Sequence, residues 1–332
     1  MSTQKFLHDI FAAMTFVLFC TLPTPVQAVN SLGCDLFAAA VVTDTTYVVV
    51  GDRGKIFISK DAGKLFTPVA SHTKLALASV SFPDAMQGWI VGQEGIILHT
   101  ADGGDSWSPQ SSGVDTYLMA VDFADAQNGC AIGQDSTVLT TMDGGNTWTS
   151  VNFTLTRDAG CAHNFFALKM LGPKTICITG DMGRVFLTND TGQSWTEAPT
   201  KLFDKEIGEG RTLYALATSG NKLVAIGIDG TLITSADVGK TWNRGSSGTR
   251  DPDFFCLAMV DDFGISAGSG GNVIQTTNGG ASWQIVKTPE NVHKSWLSGI
   301  ALKKNSAGEA AGLVVGQYGT VGIIRNSLIT WL

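Results

Sequence analysis

One short pattern returns seven times along this 332-residue chain. Each copy opens on a glycine-flanked turn and continues as an apolar strand, and the first six close on a second turn, as in VGQEGIILHTADGGDSW at 91–107. The copies begin 41 to 48 residues apart, and their leading glycines are Gly51, Gly92, Gly133, Gly180, Gly227, Gly268 and Gly316. A period of this length indicates an array of equivalent structural units, each of which buries its apolar surface against its neighbours.

Each repeat divides into four short strands. In the second copy, turn residues and alternating apolar residues predict strands over Leu77–Phe82, Gly88–Gly92, Ile96–Thr100 and Ser106–Pro109. Four antiparallel strands in a period of about 40 to 50 residues are typical of a propeller blade. We therefore predict an all-β fold, a seven-bladed β-propeller of four-stranded antiparallel blades.

Small residues recur on the predicted first strand of every repeat. They are Ala39, Ser79, Ala120, Ala167, Ala215, Cys256 and Ser298. First strands of a propeller converge at the axis, where bulky side chains would collide. This column predicts that the first strands line the central channel.

In six of the seven repeats the second turn resembles the pattern [ST]-x-D-x-G-x-[ST]-W, known as the Asp-box. Its predicted role is structural: the carboxylate accepts N–H groups of the turn, and the aromatic residue packs between neighbouring sheets. The residues concerned are Asp61, Asp102, Asp143, Asp190, Asp237 and Asn278, with Phe66, Trp107, Trp148, Trp195, Trp242 and Trp283. Six near-identical sites on a rim do not converge on one substrate or ion, so we expect neither catalysis nor metal binding there.

Composition narrows the class of partner. Charged residues make up only 15% of the chain and the net charge is −7. This argues against nucleic acid as a partner, because a surface that binds nucleic acid needs clustered Lys and Arg. Beyond residue 28 there are five cysteines, none in a CxxC pair. They are interpreted as buried core residues, with a bridge within the set left open; Cys161 and Cys177 are the nearest in sequence.

The first 28 residues have the pattern of a secretory signal. The apolar run from Ile10 to Leu22 is shorter than the roughly 20 residues that span a bilayer, and Val26-Gln27-Ala28 offers a cleavage site. Phe19 replaces the small residue that a lipid-anchor motif places before Cys20. We predict an exported protein that is not an integral membrane protein, with a propeller over 29–332, in the periplasm or, in a photosynthetic host, the thylakoid lumen.

Paired glycine turns and Asp-boxes in seven copies resemble the photosystem II stability and assembly factor family, over roughly residues 32–332. The resemblance implies a seven-bladed propeller that assists assembly of a membrane protein complex by binding its subunits, without chemistry or a cofactor. The chain departs from photosynthetic members, which present a basic patch, because it is acidic overall.

Two other functions are compatible with the pattern, a glycan- or ligand-binding propeller and a sialidase-like glycoside hydrolase. A sialidase-like site needs three convergent arginines and a tyrosine nucleophile. The four tyrosines, Tyr47, Tyr117, Tyr214 and Tyr318, show no arginine triad beside them in sequence. An aromatic platform near the channel would favour glycan binding instead.

The predicted partner surface is the face that carries the turns between second and third strands and the links between blades, called here the top face. Long loops on a rigid scaffold are common binding elements, and the links are longest at Trp148–Phe165 and Trp195–Leu213. The segment 197–212 mixes aromatic and charged residues, which suits contact with a protein partner. The alternative is that it forms a short solvated helix. We expect a monomer whose top-face contacts are Arg53, Glu94, Asp135, Arg184, Arg211, Asp229 and Tyr318.

Overall fold

The computed structural model describes residues 32–153, 163–204, 209–249 and 252–332. Seven four-stranded antiparallel sheets follow one another along the chain, which confirms the predicted seven-bladed propeller. The strands of blade 1 are Leu36–Val41, Tyr47–Gly51, Ile56–Ser59 and Thr67–Val69. Those of blade 2 are Leu77–Ser81, Gly88–Gly92, Ile97–Thr100 and Ser108–Gln110, and those of blade 3 are Leu118–Phe123, Gly129–Gly133, Val138–Thr141 and Thr149–Ser150.

The remaining four blades repeat this order. Blade 4 has Phe165–Met170, Ile176–Gly180, Val185–Thr188 and Thr196–Ala198, and blade 5 has Leu213–Ser219, Lys222–Gly227, Leu232–Ser235 and Asn243–Arg244. Blade 6 has Phe254–Val260, Phe263–Gly268, Val273–Thr276 and Gln284–Val286, and blade 7 has Leu297–Lys304, Ala310–Gly316, Val321–Arg325 and Leu328–Trp331. Between blades 4 and 5, Phe203–Asp204 pairs with Glu209–Gly210 in a two-stranded sheet, and the described residues of segment 197–212 contain no helix.

The helical elements are single 3₁₀ turns between second and third strands. They span Asp52–Gly54, Gln93–Gly95, Asp181–Gly183, Ile228–Gly230, Ser269–Gly271 and Gln317–Gly319. Within the described ranges, no helix is long and apolar enough to span a membrane. The predicted secretory signal over 1–28 lies outside the described residues.

The circle closes by contacts between blades 1 and 7. Blade 7 is built from four consecutive strands at the end of the chain, so it borrows none from the first blade. Ser298 Oγ donates to the carbonyl of Leu36 over 3.1 Å, and Lys303 Nζ donates to that of Val42 over 2.9 Å. Apolar residues of both blades, Tyr47 and Leu313 among them, share one buried cluster across the seam.

As predicted, the first strands line a central channel, whose volume is about 470 Å³. A bulge near the start of each first strand shifts its pairing by one residue, for example between Leu36 and Ala38 and between Leu297 and Gly299. The small-residue column therefore runs through Ala38 and Gly299, and its predicted members Ala39 and Ser298 are each one position out of register. At Gly299 a Cβ would collide with the Ala38 backbone, which shows how closely the first strands pack.

The core lies between blades. Trp107 of blade 2, only 5% exposed, packs with Val48 and Ile58 of blade 1. Trp242 and Trp283 sit in the same way between blades 4 and 5 and between blades 5 and 6. Because each aromatic residue joins two sheets, the apolar surface it buries stabilises the ring rather than a single blade.

Three described cysteines are core residues. Cys130, Cys177 and Cys256 are buried free thiols, and burial raises the pKa of Cys177 and of Cys256 to about 12. Cys34 is a part-buried free thiol near the start of blade 1. Cys161, the cysteine nearest to Cys177 in sequence, lies outside the described residues.

Candidate functional site

The top face is built from one turn, repeated in every blade. In blade 2, Gln93 N donates to the carbonyl of Ala76, which precedes the first strand, and Ile96 N donates to the carbonyl of Gln93. A Cβ at Gly92 would collide with the backbone of Ala76, and one at Gly95 (φ +67°) with that of Val114 in the next link. The two glycines therefore let the turn pack against both the blade's own first strand and the following interblade link.

The residue before the second glycine, or before Ser136 in blade 3, lies in the left-handed region of backbone conformation and, where it has a side chain, points to solvent. We call these equivalent positions the turn ring; its members are Arg53, Glu94, Asp135, Met182, Asp229, Gly270 and Tyr318. The six side chains among them are exposed, up to 68% for Tyr318. Five residues predicted as top-face contacts thus share one structurally equivalent, exposed position.

Carboxylates dominate the top face around the channel mouth. The turn ring and the residues beside it carry Asp35, Asp52, Glu94, Asp135, Asp181, Asp229 and Asp253. Arg53 pairs with Asp52 at 3.2 Å, and Arg211, another predicted contact, pairs with Asp229 at 2.6 Å. Arginines thus pair with two of the seven carboxylates and His163 lies 3.5 Å from Asp181, while Lys55, Lys74, Lys201 and Lys294 lie in the turns and links of the same face.

Arg184 differs from the other predicted contacts. Its side chain is 6% exposed, and its Nε and Nη2 atoms donate to the Glu197 carboxylate at 3.0 and 3.1 Å. Nη1 lies 2.8 Å from His163 Nε2, and the guanidinium sits over the Phe186 ring at 4.9 Å. We therefore assign Arg184 a structural role and leave it out of the candidate surface.

An arc of aromatic residues borders the channel mouth on blades 4 to 7. Phe166, Tyr214, Phe255 and Trp296 follow one another with ring centroids 5.1, 5.6 and 5.9 Å apart, a contact distance for offset or edge-to-face pairs. We call these four residues the aromatic arc. Trp296, at its end, exposes 56% of its surface.

Sequence reasoning missed this arc because strand alternation does not reveal a bulge. Phe166, Tyr214 and Phe255 are the bulged residues of their first strands, and a bulge re-aims a side chain. All three line the channel. The corresponding residue is Phe37 in blade 1, Ala78 in blade 2, Met119 in blade 3 and Ser298 in blade 7, so this position is aromatic in four of the seven blades. A repeat alignment that tracked this column would have found these three residues but not Trp296, which precedes the first strand of blade 7.

The bottom face carries the Asp-box turns, whose predicted structural role is visible in the hydrogen bonds. In blade 2, Asp102 accepts from Ser106 N (3.0 Å), Ser106 Oγ (2.6 Å) and Thr100 Oγ1 (2.7 Å). These bonds outweigh the opposing effect of burial and lower the pKa of Asp102 to about 2. Asp190 and Asp237 accept equivalent bonds, and the pKa of each is likewise lowered to about 2. In blade 6 the amide oxygen of Asn278 accepts the corresponding bonds from Thr276 Oγ1 and Ser282 N.

Neither a metal centre nor an arginine triad emerges from the described residues. No group of three or more His, Cys, Asp or Glu side chains among them is arranged to hold a metal ion. The described arginines each bond a separate local acceptor: Asp52 for Arg53, Glu197 for Arg184, Asp229 for Arg211, the Lys201 carbonyl for Arg244 and the Ala62 carbonyl for Arg325. This differs from the three convergent arginines of a sialidase-like site.

Comparison with solved structures supports the architecture. YCF48 bound to D1 peptide matches with a TM-score of 0.66 and 20% identity, covering 89% of this chain and 92% of that one. YCF48 from Cyanidioschyzon merolae matches with a TM-score of 0.67 and 19% identity, covering 87% and 95%. The WD40 repeats of RRP9 reach 0.68 at 12% identity, covering 90% and 95%. At these identities the likeness shows the shared fold.

Sequence comparison identifies the family. A search of curated proteins found no match. The family model for the photosynthesis system II assembly factor YCF48 matches residues 39–112 and 107–244, more than half of the chain. This protein therefore belongs to the family of the photosynthesis system II assembly factor YCF48.

Proposed function

We propose that this protein is an exported, non-catalytic scaffold that holds an extramembrane segment of a membrane-protein subunit on its top face during assembly of the complex. The observation that carries the proposal is the turn ring. One rigid backbone turn, repeated around the channel, presents Arg, Glu, Asp, Met, Asp, Gly and Tyr in turn. A surface whose side chains differ at equivalent, exposed positions is suited to recognise an asymmetric partner.

Two further observations support this proposal. The hairpin of Phe203–Asp204 and Glu209–Gly210 adds backbone to the same face, and a Cβ at Gly210 would collide with the Met182 backbone of the turn ring. The chain also belongs to the YCF48 family, and one of its structural neighbours is YCF48 bound to a D1 peptide. By analogy, the partner here is a subunit of a membrane complex, met in the periplasm or thylakoid lumen by a monomeric propeller.

The aromatic arc supports a second candidate function, binding of a glycan or small ligand at the channel mouth, because aromatic faces stack on sugar rings. Hydrolysis receives no such support. The Asp-box carboxylates are engaged by their own turns, and the arginines of the described chain bond separate acceptors.

Photo-cross-linking in membranes of the native host tests the scaffold proposal. Tyr318→benzoylphenylalanine places the probe on the turn ring, and Met142→benzoylphenylalanine places it in an Asp-box turn of the bottom face. Both parent side chains are 68% exposed, so the two probes are matched in access to solvent. We expect Tyr318 alone to cross-link to a membrane-protein subunit, identified by mass spectrometry, and the assembled complex of that subunit to decrease when the gene is deleted. Equal cross-linking from both positions, or no membrane protein from either, would overturn the proposal.

A further inference from the structure

The aromatic arc ends in exposed aromatic surface. Trp296 is 56% exposed, and Tyr318 of the same blade is 68% exposed. The two are held close together, because Gln317 N donates to the Trp296 carbonyl over 2.9 Å and Gln317 Oε1 accepts from Trp296 N over 3.1 Å. Exposed Trp and Tyr on a rigid backbone are the residue types that most often anchor a binding partner.

Carboxylates lie next to this arc. Asp253 precedes the first strand that carries Phe255, and its Oδ1 accepts from Asp229 N over 3.0 Å. Burial, and to a smaller extent the Asp253 charge, raises the pKa of Tyr214. On the other flank, Asp35 Oδ1 accepts from Tyr318 N over 2.9 Å. Both carboxylates are held by backbone N–H groups rather than by a lysine or arginine.

We propose that the aromatic arc and the carboxylates around the channel mouth bind a basic peptide segment, with a lysine or arginine side chain seated against Trp296. This inference rests on the proposed function and names the chemistry of the segment that the top face holds. Tryptophan gives the strongest attraction for a cation above its face. Neighbouring carboxylates complement the charge and favour approach of a positive segment.

The charge of the mouth selects this occupant over others of similar shape. An acidic segment would meet Asp35 and Asp253, whose carboxylates accept from backbone N–H groups beside the arc. A neutral glycan would use the aromatic faces but gain nothing from Asp35 or Asp253 as anions. A basic segment uses both features, and only its binding should weaken strongly as salt is raised.

Peptide titration tests the inference. The probe is a fluorescein-labelled peptide of alternating Gly and Arg residues, with matched peptides in which citrulline or Glu replaces Arg, followed by fluorescence anisotropy against the chain from Val29. We expect the Arg peptide to bind at least tenfold more tightly than either control at low salt, and to lose most of this affinity at 0.5 M salt.

Substitutions at the mouth locate the site. Trp296→Leu keeps an apolar side chain but removes the aromatic face, and should weaken the Arg peptide about threefold to tenfold. Asp253→Asn should weaken it about twofold to fivefold. Ile285→Ala, which removes a side chain 66% exposed on the fourth strand of blade 6, serves as the control and should leave affinity unchanged.

Three outcomes would overturn the inference: equal binding of the Arg, citrulline and Glu peptides, no effect of Trp296→Leu, or binding of chitotetraose at the arc without binding of the Arg peptide. The cross-linking experiment separates this failure from that of the scaffold proposal. Cross-links from Tyr318 with no preference for the Arg peptide would remove the basic occupant and keep the scaffold. Binding of the Arg peptide without cross-links from Tyr318 would remove the scaffold proposal and keep the basic-peptide site.

Discussion

The two faces of the propeller use the same sevenfold backbone in opposite ways. On the bottom face the side chains repeat: in blade 2 and in blade 5, the Asp accepts from Ser and Thr hydroxyl groups and the Trp indole donates to a glycine carbonyl of the same turn. On the top face the backbone repeats but the exposed residue of each turn changes from Arg53 to Glu94 and on to Tyr318.

This difference separates stability from recognition. Residues that satisfy their own turn have little left to offer a partner, whereas exposed residues on a turn already held by its glycines are free to vary without loss of fold. Substitutions on the bottom face should therefore lower stability, whereas substitutions on the top face should weaken binding.

The largest expected effect is at the Asp-box aromatic residues. Trp107→Ala removes a side chain 5% exposed that joins blades 1 and 2, and should lower the free energy of unfolding by about 3–5 kcal/mol. Tyr318→Ala on the top face should change it by less than about 0.5 kcal/mol. Guanidinium unfolding followed by circular dichroism measures both values. Similar losses for the two variants would contradict the division between the faces.

Arg184 sharpens the comparison because it lies on the top side yet is buried. Arg184→Ala leaves the Glu197 carboxylate without its bidentate partner and should cost about 2–3 kcal/mol. Arg53→Ala, which removes an exposed pair, should cost less than about 0.5 kcal/mol. Arg184→Lys should restore only part of the loss, because an ammonium group cannot make both bonds. Full stability in Arg184→Ala would return this residue to the candidate binding surface.

These residues also show what the sequence could reveal. Repeat spacing located the blades, and turn chemistry placed the strands of blade 2 within two residues of their observed bounds. Both follow from local patterns. Arg184 could not be placed because its burial depends on Glu197 in the fourth strand and on His163 in the preceding link. The aromatic arc was missed because a one-residue bulge, which sequence alternation does not show, turns Tyr214 and Phe255 to the channel.

Acid stability tests the Asp-box hydrogen bonds. The pKa of Asp102 is lowered to about 2, so its contribution to stability is present above the unfolded value of about 3.9 and is lost as pH falls toward 2. Asp102→Asn should change the unfolding midpoint little at pH 5, since Asn278 makes equivalent bonds in blade 6, and should reduce the loss between pH 5 and pH 3. The reciprocal Asn278→Asp should increase that loss. An unchanged acid response in both variants would show that other groups control it.

The smallest expected effect on stability concerns the turn ring itself. Glu94 has φ +54°, a conformation that costs an L-residue about 1–2 kcal/mol and that glycine adopts without this cost. Glycine in turn loses about 0.5–1 kcal/mol, because its unfolded chain has more conformational entropy. Glu94→Gly should therefore stabilise the fold by up to about 1 kcal/mol in guanidinium unfolding, and the reciprocal Gly270→Glu should destabilise it by a similar amount. Blade 6 already carries glycine at this position, so the turn does not need a side chain there. Stabilisation of Glu94→Gly would mean that the top face keeps a strained side chain that the fold does not require, as expected of a residue retained for a partner. A loss of more than about 1 kcal/mol would instead make Glu94 part of the structure of its own turn and remove it from the recognition surface.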